Sequence, residues 1–324
     1  MYSFSKCLEN VYKYQANNKQ LVHYHRNNNS LYFNDKLIDN NVHTFVFNGD
    51  TIIFSTENFI IKKVTENNTI ETLLKNCALG ELLLSNFEIV VANTNTFEQF
   101  IYNFQRELKT FNLDSPPAFK SATEIFFTKF QEPIINSLSL ETGEYLWETN
   151  ITIEGDTDPR IKQVLGISGE LLVLFTFGST LVGIDIQTGK ILWSILPQGY
   201  YPTGFTGMAW YWHLEDGYLY LLRHQYYLRI NLSNQQLEVL WQTSPETLEF
   251  EDCSYTEDHI YFMAIDKKSN IFNTSILGVF DRKALKIAWQ YDQPIYSAQP
   301  PQSDGNKLYC LDTGCTLHIF EKIE

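Results

Sequence analysis

The chain has 324 residues and a formal net charge of −14, from 24 Lys and Arg against 38 Asp and Glu. So acidic a surface repels phosphate backbones and anionic bilayers, which argues against nucleic-acid or membrane binding and makes a basic protein the electrostatic complement. Aromatic side chains are 15% of the residues, with 23 Phe and 19 Tyr, a content that suits strands and sheet-to-sheet interfaces.

Reading from the N-terminus, MYSFSKCLENVYKY has no apolar core of a signal sequence, and no run approaches the ~18 apolar residues of a membrane span. Cys7, Cys77, Cys253, Cys310 and Cys315 are odd in number and lack metal spacing. They read as reduced thiols, and the expected location is the cytoplasm. His23 and His25, two apart, would share one face of a strand, but no third ligand stands near them, so no metal is expected. Residues 50–56, 58–64 and 69–73 have strand rhythm, with a turn at Asn67-Asn68. In residues 97–111, Phe97, Phe100, Ile101, Phe104, Leu108 and Phe111 fall at helical spacing. Asn95 or Thr96 can cap the segment and Pro116-Pro117 can end it, so it predicts an inserted amphipathic helix.

From residue 138 a phrase repeats. LSLETGEYLW ends at Trp147 and IDIQTGKILW at Trp193; INLSNQQLEVLW ends at Trp241 and VFDRKALKIAW at Trp289. The intervals are 46, 48 and 48 residues, a period that signals a stacked repeat such as a propeller blade. In the copy around Trp193, residues 171–177 form an apolar strand. Residues 181–186 form another, Gly189 supplies a turn that needs φ > 0, and residues 190–195 form an alternating last strand. One such sheet cannot bury both faces, so each Trp is expected to fill the gap to the next blade.

The phrase resembles the tryptophan-docking repeat of quinoprotein-like β-propellers, whose blades end in a pattern like A-x-D-x-x-T-G-x-x-x-W. The match lies at Asp185, Thr188, Gly189 and Trp193, and again at Leu140, Thr142, Gly143 and Trp147. It is partial at Asp281 and Trp289 and weak at Asn231 and Trp241. The resemblance covers residues 120–324; the first 120 match only in strand rhythm. It implies an all-β fold: one closed β-propeller, a single domain over 1–324. Dividing the length by the period gives about seven four-stranded antiparallel blades, with six to eight compatible. The last copy, near residues 317–320, lacks an outer strand, which residues 11–14 are expected to supply. The family's quinone enzymes are secreted and bind calcium, and many carry an adjacent Cys-Cys pair. Without an export signal or such a pair, no cofactor is expected here.

Propeller topology sends every crossing from an outer strand to the next inner strand to one face. These crossings are roughly 149–163, 195–210, 243–256 and 291–303. They bring Glu154, Asp156 and Asp158; Tyr200, Tyr201, Phe205 and Trp210; Glu246, Glu249, Glu251 and Asp252; and Tyr296. Aromatics among carboxylates make a candidate protein-binding face, while Trp212 reads as core at the start of an inner strand. No phosphate loop, G-x-S-x-G elbow or H-E-x-x-H is present. The expectation is a non-catalytic propeller that binds a basic protein, in its sharpest form an immunity-type inhibitor of a toxin. The alternatives are an enzyme with carboxylates converging in a central channel, as a hydrolase, lyase or diverged dehydrogenase, and a structural subunit. A propeller scaffold by itself does not choose among them.

Overall fold

The computed structural model describes residues 1–323 apart from 18–19, 48–50, 66–68, 86–87, 114–116, 130, 197–211, 245–246, 269–274, 292, 294 and 298; for residues 17, 81–85, 108 and 110–113 it describes the backbone only. The described strands make eight four-stranded antiparallel sheets. Seven are simple meanders of consecutive strands: blade 1 (11–39), blade 2 (42–75), blade 3 (77–113), blade 4 (117–150), blade 5 (161–195), blade 6 (213–242) and blade 7 (248–290). Blade 8 takes three strands from residues 302–322, and its outer strand is Tyr2–Leu8.

The chain divides into two compact units. One is Met1–Asp114 with Phe250–Glu324; the other is Ser115–Glu249. Within each, apolar side chains from neighbouring blades form the core. In the first unit Val11, Tyr14 and Leu21 of blade 1 pack on Tyr309, Leu317 and Ile319 of blade 8. Val46, Ile53 and Ile61 of blade 2 pack on Ile89, Val91, Phe100 and Tyr102 of blade 3. In the second unit Phe126 and Ile135 of blade 4 meet Leu172, Leu174, Val182 and Ile184 of blade 5. Val173 and Phe175 of blade 5 in turn meet Leu219, Leu221 and Leu228 of blade 6. The middle strand Leu171–Thr176 of blade 5 is buried on both faces, because one meets blade 4 and the other blade 6.

The repeated phrase is the turn and outer strand of each blade. Asp185 Oδ1 accepts from the Thr188 amide (2.8 Å) and hydroxyl (2.6 Å), and Gly189 N–H donates to the Asp185 carbonyl at 2.9 Å. Gly189 has φ +71°, as the turn requires. Ser139, Asn231 and Asp281 cap the same turn in blades 4, 6 and 7, and Gln235 and Leu285 take the left-handed place of the glycine. The weak copies are therefore the same turn with poorer residues. After the turn the outer strand carries a one-residue bulge, and the residue beyond it is the tryptophan. Trp147 pairs with Ser137, Trp193 with Gly183, Trp241 with Tyr227 and Trp289 with Val279. Trp147 lies across the next blade: its Nε1–H donates to the Ile186 carbonyl at 2.8 Å, and a Cβ added to Gly189 would lie 2.7 Å from its ring. Trp193 packs against the cluster of blades 5 and 6, and Trp289 sits edge-on to Tyr2 and Phe320 at 5.7 Å each.

The same bulge marks the blades without tryptophan. The residue beyond it is Asp39 in blade 1, Leu74 in blade 2, Phe111 in blade 3 and Lys6 in blade 8. This corrects the expected seven blades to eight. The positions 39, 74, 111 and 147 are 35, 37 and 36 residues apart, shorter than the C-terminal period of 46–48. Blade 1 shows one cause: Asn34 and Asp35 (φ 46° and 64°) form a two-residue turn between strands Ser30–Phe33 and Lys36–Asp39.

Two further expectations are corrected. Residues 97–111 are not a helix but part of a hairpin, with strands Gln99–Asn103 and Leu108–Leu113. Phe100, Ile101 and Tyr102 are consecutive and all buried, as in a middle strand covered on both faces. The helical spacing arises because Asn103 Oδ1 caps a turn at Gln105 and Arg106 that shifts the apolar phase. The closing strand is Tyr2–Leu8, and residues 11–14 belong to the inner strand Val11–Asn17 of blade 1. Both segments are aromatic-rich. Tyr2–Leu8 has one buried residue, Tyr2, as an edge strand should, whereas Val11 and Tyr14 are both buried.

Candidate functional site

In every blade the connection from the previous outer strand emerges at the end where its own second strand turns into its third. In the second unit the crossing 151–160 is tied to the blade 5 turn 177–180. Phe177 N–H donates to the Arg160 carbonyl (2.9 Å), Gly178 N–H to that of Asp158 (2.7 Å), and the Thr176 hydroxyl to Asp156 Oδ2 (2.8 Å). Asp158 holds Arg160 through both carboxylate oxygens, at 2.8 Å to Nε and 2.5 Å to Nη2. Those bonds hold its carboxyl below the usual carboxylate range. The Arg160 guanidinium in turn covers the exposed Phe177 ring at 5.2 Å. Asp156 and Asp158 are thus brought together, but as struts of the loop, while Glu154 stands exposed beside them. Glu249 is also engaged, by His224 Nδ1 at 2.9 Å.

In the first unit Glu251 and Asp252 are half-buried on strand Leu248–Tyr255. Tyr296 is 45% exposed, with its carbonyl fixed by Thr313 N–H (2.7 Å). Tyr200, Tyr201, Phe205, Trp210 and Glu246 lie outside the described residues. Trp212 is buried in the cluster of blades 5 and 6, as its position before strand His213–Glu215 suggested.

Two residues of this kind escaped the sequence reading. Phe59 and Phe97 sit in the second-to-third-strand turns of blades 2 and 3. They are 43% and 84% exposed, and both have left-handed backbones, with φ 56° and 59°. A Cβ-bearing residue there is strained by about 1–3 kcal/mol, and bulky side chains are unusual. The turns are held open to solvent from below. Phe59 N–H donates to the Thr56 carbonyl (3.0 Å), Phe97 N–H to that of Asn93 (2.8 Å), and Asn93 Oδ1 accepts from the amides of Asn95 and Thr96. The available signal was an aromatic set in a polar turn, Thr-Glu-Asn-Phe and Thr-Asn-Thr-Phe. Among the described residues no three His, Cys, Asp or Glu side chains are grouped to hold a metal, and no helix is long and apolar enough to cross a membrane.

Eight four-stranded antiparallel blades with this succession define an eight-bladed β-propeller. No family model matches the sequence, and no curated protein matches it. Solved structures do. Sqt1 of Saccharomyces cerevisiae is 10% identical with a TM-score of 0.64, over 100% of this chain and 98% of that one. The C-terminal WD40 domain of Sif2 is 10% identical at 0.63, over 100% and 99%. BamB from Moraxella catarrhalis is 10% identical at 0.50, over 86% and 96%. At such identities the likeness concerns the fold alone.

Proposed function

We propose that residues 1–324 form one non-catalytic propeller domain that binds a protein partner through the loop ends of its blades. The observation that carries this reading is the exposure of Phe97 and Phe59 on strained, well-anchored turns. A large apolar ring held rigidly in water costs free energy that a partner's surface would recover, and rigid aromatics are typical interface anchors. Tyr296, Phe177 and the carboxylate of Glu154 stand on the equivalent ends of other blades. The net charge of −14 favours a basic partner by steering its approach. An immunity-type inhibitor of a cationic toxin is the particular form that suits this charge. The docking of Trp147 on Gly189 supports a degenerate quinoprotein-like repeat.

The test is capture of partners from the native cell by the immobilised chain, then binding kinetics at two salt concentrations. Glu154→Lys should slow association and weaken its salt dependence, whereas Phe59→Ala with Phe97→Ala should mainly speed dissociation. A partner whose kinetics ignore both sets of substitutions would overturn the assignment of this face.

A further inference from the structure

Between blades 4 and 5 the indole of Trp147 fills the gap over the next blade's turn. Between blades 8 and 1 the equivalent residue is Lys6. Its ammonium reaches sideways to Asp35 Oδ2 at 2.6 Å, in the turn of blade 1, and no ring fills the space. What remains is a cleft of about 220 Å³ whose polar walls include Lys6, Asp35, Asp304, Lys307 and Tyr309, with Leu21 and Ile319 as apolar lining.

The charged groups of this cleft are held in place. Asp304 Oδ1 accepts the amides of Asn306 (2.9 Å) and Lys307 (2.6 Å), and Oδ2 accepts the Tyr309 hydroxyl (2.8 Å). Lys307 Nζ has only a loose contact, 3.5 Å to Glu321. Behind Asp35 lies His23, 3% exposed, its ring stacked on Tyr32 (5.0 Å, 3°) and its Nδ1 3.0 Å from His25 Nε2. His23 Nε2 is buried, has no hydrogen-bond partner, and points toward Asp35 Oδ1 at 3.8 Å.

The cleft lining thus carries two cations, Lys6 and Lys307, and two anions, Asp35 and Asp304, with Glu321 beside Lys307. A ligand with one charge would face one pair favourably and the other unfavourably; a ligand with both charges satisfies each. We propose that the cleft between blades 8 and 1 binds a small zwitterion of the α-amino-acid class. Its ammonium lies at Asp304 and Asp35, and its carboxylate at Lys307 and Lys6. The volume admits a free metabolite and is below the range of drug-sized pockets. This site is independent of the loop ends.

Calorimetric or NMR titration of the full chain with L-alanine and L-glutamine at neutral pH tests it. N-acetyl-L-alanine and L-alaninamide, each lacking one charge and each mimicking a peptide end, are the controls. Saturable one-site binding of at least one amino acid is expected, with both controls and the variants Lys307→Gln and Asp304→Asn weaker by about tenfold or more. Asn at 304 retains the Oδ1 acceptor of the Asn306 and Lys307 amides but not the acceptor of the Tyr309 hydroxyl, so its melting temperature is measured beside its binding, and Lys307→Gln, which breaks only a 3.5 Å contact with Glu321, is the variant expected to melt near the parent. Failure of both amino acids to saturate at tens of millimolar, controls that bind as well as they do, or variants that bind like the parent would each overturn the proposal.

Discussion

Lys6 and Asp35 meet at 2.6 Å at the place where, in another pair of blades, Trp147 covers Gly189. Asp39, at the same position in blade 1, likewise reaches Lys62 of blade 2 at 2.6 Å. The repeat therefore keeps one backbone device, a bulged outer strand, and changes the chemistry of docking from indole to ion pair. The Lys6 and Asp35 side chains are 43% and 54% exposed, so solvent screens the pair. Lys6→Met should cost less than about 1 kcal/mol in chemical denaturation.

Deleting residues 1–8 should cost far more. It removes Tyr2 from the cluster it shares with Tyr261, Leu308 and Phe320, and bares the edge of strand Leu317–Lys322. A drop in melting temperature of many degrees is expected. An unchanged melt would show that the outer strand of blade 8 is dispensable.

Trp147 and Gly189 should be energetically coupled. Trp147→Ala should destabilise by about 3 kcal/mol through lost packing. Gly189→Ala meets the indole ring and also strains a φ of +71°. In the double variant the collision disappears while the strain remains. The combined loss should fall short of the sum of the single losses, as a double-mutant cycle by denaturation will measure.

Burial, with the neighbouring His25, lowers the His23 pKa from 6.5 to about 4. Between those values the unfolded chain binds the proton and the folded chain does not, so stability falls as pH falls. The contribution is fully present above about pH 6.5 and lost on approaching pH 4, about 3 kcal/mol in all. His25 is shifted in the same direction, so the comparison is between the parent and His23→Gln. The variant should lose less stability between pH 7 and 5 than the parent, as denaturation midpoints will report.

Phe97→Gly should raise or preserve stability while weakening partner binding. Glycine accepts a φ of 59° freely, which relieves about 1 kcal/mol of strain and offsets its greater unfolded-state entropy. A marked loss of stability would instead mean that Phe97 serves the fold.

Strand rhythm, the Asp-x-x-Thr-Gly turn and the docking tryptophans were all legible in the sequence, because they depend on residues within a few positions of one another. Asp185 caps its own turn through Thr188, and Gly189 is required by local backbone geometry. The blade count was not legible, since the position filled by tryptophan in blades 4 to 7 is Lys6, Asp39, Leu74 or Phe111 elsewhere. Where an ion pair takes the place of the indole, the residue answers to the adjoining blade, as Asp39 does to Lys62 and Lys6 to Asp35. The candidate carboxylates divide on the same ground: Asp158 and Glu249 are engaged by Arg160 and His224, while Glu154 stands exposed. Position in the repeat assigned these carboxylates to crossings, yet Glu249, Glu251 and Asp252 lie on strand Leu248–Tyr255. Contacts between segments distant in the chain determined which carboxylates brace the fold, which strand closes blade 8 and which phenylalanines face water.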